Sequence, residues 1–155
     1  MSLGEELRKV RKEKDLLGTR TLPANAYYGI HSVRAAENYT TSGYRIHPQL
    51  VIALAMVKKA AALANRKAGT LEPRKAQAIV QATDEIIAGK WVDQFIGEAI
   101  QGGAGTGINM NANEVIANRA LDILGHKPGD YAEIHPLDDV NNGQSTNDAV
   151  PTAIL

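Results

Sequence analysis

Residues 101–115 read QGGAGTGINMNANEV, with glycines at 102, 103, 105 and 107 followed by Asn109, Asn111 and Asn113. Glycines so spaced admit backbone angles closed to other residues and let a ligand approach main-chain amides without a side chain in the way. The spacing predicts a helix that begins within 106–112 and stops before Gly125, with Val115, Ile116, Ile123 and Leu124 as its buried stripe. Thr106 then stands at or near a helix start, where free N–H groups and the positive end of the peptide dipole favour an anion. The same chemistry recurs at 144–148, where Ser145, Thr146 and Asn147 precede a second helix start in STNDAVPTAIL. Each feature also has an ordinary reading as a turn, a cap or an amide that satisfies local backbone. No strand precedes the glycines and no lysine follows them, so neither a dinucleotide fingerprint nor a phosphate loop is present.

Outward from this stretch the chain reads as mainly α. Pro48 opens a helix over PQLVIALAMVKKAAALANRKAG in which Leu50, Leu54, Val57, Ala61 and Ala64 share a face and Gly69 ends it. A second helix from Pro73 to Ala88, capped by Gly89, buries Ile79, Val80, Thr83, Ile86 and Ile87 and packs antiparallel to the first. A polar helix is expected over roughly 3–14. A few short strands are expected near 16–47 and 126–140, where Gly, Pro and Asn punctuate the chain.

The 155 residues are 44% hydrophobic and 22% charged, enough apolar content for one compact domain. Lys plus Arg and Asp plus Glu both total 17, so no net field draws the chain to nucleic acid or an anionic membrane. Cysteine is absent, which removes disulfides and thiolate metal sites and fits a reducing cytoplasm. VIALAM at 51–56 is far too short to span a bilayer, and the amino end lacks the apolar core of an export signal. His31, His47, His126 and His135 are scattered without the i, i+4 pair of a helical zinc site, so no metal is expected. Asp138 and Asp139 are adjacent and their side chains should diverge.

LLGTRTLPANAYYGIHSVRAAENY, VKKAAALAN, QGGAGTGINMNANEVIANRALDILG and HPLDDVNNGQSTNDAVPTA together resemble the amino-terminal third of the aspartase and class II fumarase family. The resemblance runs from about Asp15 to Leu155 and includes G-[AS]-G-T-x-x-N-M-N and Q-S-[ST]-N-D in order. YYG, H-[TS]-x-R and the Q-S-T-N form tilt it toward the aspartate ammonia-lyase branch. Gly107 departs, since aspartases usually carry Ser there and fumarases Gln.

The resemblance implies an anti elimination that releases ammonia, or water in a fumarase, and leaves fumarate. By it, Thr106, Ser145 and Thr146 would hydrogen-bond the carboxylate that gains charge, and Asn147 would help hold the leaving amino group or its neighbourhood. Arg34 either meets the other carboxylate or forms an ion pair. Asn109 and Asn113 would hold the loop. His135, with Asp138, matches a second, non-catalytic dicarboxylate site of fumarases, or is simply a His-Pro turn. The family's base lies in a later glycine- and serine-rich loop, and its members are cofactor-free tetramers built on a helical bundle. Residues 1–144 would then be the amino-terminal domain and 145–155 the start of the first bundle helix. The 155 residues alone would be inactive. A domain that binds a dicarboxylate or a partner without catalysis is the reading from another class.

Overall fold

The computed structural model describes residues 9–155. It opens on an antiparallel ribbon, β1 (Val10–Asp15) paired with β2 (Gly18–Pro23) around Leu16 and Leu17. This corrects the polar helix expected over 3–14 wherever that helix falls on described residues; residues 3–8 lie outside them. The cause is Arg11, whose guanidinium donates to the main-chain oxygens of Pro23, Ala26 and Tyr28 as well as to Glu13. Those acceptors lie across the ribbon, and an extended β1 brings Arg11 to them.

Five helices follow: α1 (Ile30–Asn38), α2 (Pro48–Ala68), α3 (Pro73–Ile87), α4 (Thr106–Ile123) and α5 (Thr146–Ile154). A short 3-10 turn occurs at Val92–Gln94, and a left-handed bend at Gly103–Gly105. The short strand expected near 126–140 is not there. That segment makes turns and then one π-helical turn, Pro136–Val140. Pro136 has no N–H for a ladder, and the His135 ring nitrogen accepts from the N–H groups of Leu137 and Asp138, which closes the backbone into a helix start.

The α2–α3 hairpin forms as its residues predict. Pro48 and Pro73 occupy the first turns, Gly69 takes a left-handed φ of 77° at the end of α2, and a 2.6 Å ion pair from Lys59 to Asp84 joins the two helices. The buried face of α2 is nonetheless rotated by about one residue. It runs through Val51, Leu54, Ala55, Lys58 and Ala62, because α2 packs on α3, α4 and α5 at once. A lysine thereby enters the core.

α4 is the axis of the fold. Every residue from Ile108 to Asn118 is buried, and α1, α2, α3, α5 and the π turn all pack on it. Val115 and Ile116 belong to the core as expected, while Ile123 and Leu124 are only partly buried. A helix enclosed on all sides must satisfy its polar side chains within the protein. Asn111 bonds the Gly97 N–H and Gln94 carbonyl, and Asn118 bonds the Tyr27 carbonyl and Gly129 N–H. The Glu114 carboxylate accepts from the N–H groups of Gly29, His31 and Ser32, each at 2.9 Å, and from the Ser32 hydroxyl. Those amides open α1, so a buried anion sits on the positive end of that helix. Gly29 permits the approach, because a Cβ there would lie 2.6 Å from Glu114 Oε1.

Glu114→Gln turns an amide –NH2 toward these donors and should destabilise the fold by about 3 kcal/mol in urea denaturation. His31 Nδ1 lies 3.1 Å from the same carboxylate, and that bond raises the His31 pKa above its ordinary value. The folded state thus favours the imidazolium. Its stabilisation is complete below the unfolded pKa and vanishes as pH rises through the folded one. The ring is half exposed, so solvent screens the effect to a small one. His31→Asn should flatten that limb of the stability–pH curve.

Candidate functional site

The glycine loop delivers the first turn of α4. Gly103, Ala104 and Gly105 all have positive φ, at 74°, 53° and 81°, and Thr106 then enters helical geometry. Gly105 is required twice over: its backbone is left-handed, and a Cβ there would lie 2.9 Å from Val150 Cγ1 on α5. One turn along α4, Asn109 Nδ2 donates to Thr146 Oγ1 at 3.2 Å. Gly105 thus faces Val150 and Asn109 faces Thr146, so the helices run antiparallel here with their starts offset by roughly one 5.4 Å turn.

Ser145 caps α5, its hydroxyl oxygen accepting from the Asn147 N–H at 3.2 Å. Ser145 Oγ and Thr146 Oγ1 both accept from the protein, and among the described residues neither donates to a protein acceptor. Both hydroxyl hydrogens therefore remain for a ligand. Thr106, on the first turn of α4, is also exposed, but its Oγ1 donates to the Gly103 carbonyl at 2.7 Å and must turn away from it to serve an anion. Asn147 is exposed at the same helix start. Among the described residues, no group of three or more His, Asp or Glu is arranged to hold a metal ion.

The remaining sequence candidates have other partners. Arg34 is occupied by Asp15, with nitrogen–oxygen distances of 2.6 and 2.7 Å, and by the Gly18 carbonyl. Its guanidinium holds the Asp15 carboxyl below the usual range. Asp138 and Asp139 diverge: the first side chain is 85% exposed, while the second, 15% exposed, accepts from the His135 N–H and pairs with Lys75. His135 lines a cleft of about 250 Å³ together with Lys12, Lys14, His31 and Tyr131.

Lys58 and Asn141 are site neighbours that periodicity and motif spacing do not reveal. Asn141 Oδ1 collects three donors, Lys58 Nζ at 2.9 Å, Asn109 Nδ2 at 3.0 Å and Asn113 Nδ2 at 3.2 Å. Asn109 and Asn113 therefore hold the 141 bend rather than the glycine loop. Burial pushes the Lys58 amine down to about 7, and no acidic neighbour contributes to that shift. The signal available beforehand was a lysine between Leu54 and Ala62, on the face that packing prefers.

A family model described as Lyase matches residues 18–155. The chain belongs to this lyase family. An aspartate ammonia-lyase of Bacillus subtilis is 58% identical over 147 residues, covering 95% of this chain and 31% of its own length. A solved structure described as fumarate lyase:delta crystallin from Brucella melitensis superposes with TM-score 0.91 at 56% identity, covering 94% of this chain and 34% of that one. A class II fumarase of Schistosoma mansoni gives 0.86 at 35% identity, covering 94% and 31%. The chain thus spans about a third of the length of these lyase relatives and shows the amino-terminal part of their mainly helical fold.

Gly105→Ala should cost about 1–3 kcal/mol through left-handed strain and overlap with Val150. In thermal melts, the Gly105→Ala/Val150→Ala pair should lose less than the two single losses added.

Proposed function

We propose that this chain supplies the carboxylate-gripping part of an aspartate ammonia-lyase. The reaction takes a proton from the carbon beside one carboxylate, and the electron pair left behind forms the double bond of fumarate as ammonia departs with the C–N bonding pair. The proton is weakly acidic, so the barrier falls when donors already stand where the carboxylate gains charge. The observation that carries the reading is the pair of hydroxyls at Ser145 and Thr146, each with an oxygen already engaged and a hydrogen free. Thr106 joins them on turning from Gly103, and Asn147 holds the leaving amino group. Identity of 51–59% over most of the chain to relatives named aspartate ammonia-lyase supports this substrate over malate.

In this reading residues 1–144 form the amino-terminal domain and 145–155 begin the first helix of a central bundle. The enzyme is a cytoplasmic homotetramer of amino acid metabolism, works without a cofactor, and takes its base from segments outside these 155 residues. Arg34 is left to its ion pair with Asp15. The cleft at His135, with Lys12 and Lys14 at its wall and Asp138 beside it, is the place for a second, non-catalytic dicarboxylate. A side chain at 107 would meet only the movable end of Gln101 at its nearest contact, so Ser there calls for a shift of that side chain rather than of the backbone.

The full-length protein should form fumarate from L-aspartate faster than from malate, followed by ultraviolet absorbance. Ser145→Ala or Thr146→Ala should lower kcat by about 10²–10³. The 155 residues alone should be silent in the same assay. Preference for malate would make the protein a fumarase, and succinate binding without turnover of either substrate would make it a binding module.

A further inference from the structure

The Lys58 amine is buried with a single protein acceptor, Asn141 Oδ1, and no carboxylate partner among the described residues. Burying an amine with so few partners costs stability, and an apolar side chain of similar length would fill the space more cheaply. Its position accounts for it. The Asn109 side chain has two N–H groups; its nitrogen makes contact with Asn141 Oδ1 and with Thr146 Oγ1. The Asn109 and Asn113 oxygens are buried with no partner.

An amide cluster of this kind has a reverse arrangement. If Asn141 turned its –NH2 toward α4, the unpartnered oxygens of Asn109 and Asn113 could accept from it, and Asn109 would turn its own –NH2 away from Thr146. Two groups oppose this. The Gln144 carbonyl accepts from Asn141 Nδ2 at 2.9 Å on the far side, and on the near side Lys58 Nζ donates to Asn141 Oδ1 at 2.9 Å, a bond the turned amide would lose.

The geometry points to Lys58 as a positioning residue of the anion site: through Asn141 it fixes the polarity of the Asn109 amide, which aims the Thr146 hydroxyl hydrogen outward at the ligand's carboxylate. Lys58 itself is enclosed beneath these amides and does not touch the substrate. The inference rests on the lyase reading above for its substrate, and on the amide geometry for its mechanism.

The test is a double-mutant cycle of Lys58→Met and Thr146→Ala in the full-length protein, read as kcat and KM on L-aspartate and, separately, as succinate affinity by calorimetry. Lys58→Met should melt no lower than the parent, yet lose at least about tenfold in kcat, as removal of a supporting hydrogen-bond partner typically does. Added to Thr146→Ala, it should cost less than about a further twofold, since the hydroxyl it aims is already gone. Should Lys58→Met fail to fold, Lys58→Gln takes its place in the same cycle. An unchanged kcat and succinate affinity, or losses that multiply, would overturn the role of Lys58. A parent that binds succinate but forms no fumarate from aspartate would refute the lyase reading instead, and the calorimetric cycle would still decide the positioning claim.

Discussion

The buried carboxylate of Glu114 is the contact on which the arrangement depends. It gathers the first N–H groups of α1 onto the middle of α4, and Glu13 takes the Ile30 N–H beside them, so the end of a helix that would otherwise need water is closed inside the protein. Two carboxylates at one helix start are tolerated because donors outnumber them: Arg11 pairs with Glu13, and three main-chain amides, a hydroxyl and a ring nitrogen meet Glu114. With α1 fixed to α4 in this way, the ribbon that precedes α1 is held as well, and α4 is free to carry polar residues on its other faces.

On one of those faces the amides of α4 meet the bend that leads into α5. Asn109 and Asn113 project from α4 toward Asn141, which follows the π turn, and α5 begins four residues later at the Ser145 cap. The glycine loop brings the start of α4 close to α5, and the asparagines set how far apart the two helix starts lie. The hydroxyl oxygens of Ser145 and Thr146 are already engaged as acceptors, which leaves their hydrogens for the carboxylate of the proposed function.

Much of this was legible in the residues. Pro48, Gly69 and Pro73 delimit α2 and α3, and Thr106 and Ser145 mark the helix starts that the structure shows. β2 falls in the 16–47 stretch where short strands were expected, but its partner β1 was not legible, because the order of that strand comes from Arg11 reaching three carbonyls rather than from an apolar stripe, and charged alternation reads equally well as a solvated helix. The buried face of α2 was misplaced because periodicity weighs a lysine against burial, whereas packing against three helices decided for it. Glu114 and the asparagines of α4 were invisible for a related reason: a polar residue looks exposed until its partners, far off in sequence, are known. Arg34 illustrates the limit from the other side, since its type suits a carboxylate ligand and only geometry shows that Asp15 already holds it.

The Glu114 clamp also imposes an order on biosynthesis. Its bond to the Gly29 amide closes a loop of 85 residues, so the amino-terminal ribbon and α1 cannot be sealed until α4 has been made. At ordinary translation rates of about 5–20 residues per second, that leaves roughly 4–17 seconds in which the nascent hairpin has no core to lean on. Leu22 and Ile30, fully enclosed in the finished protein, are open to chaperones or to misfolding partners for that interval.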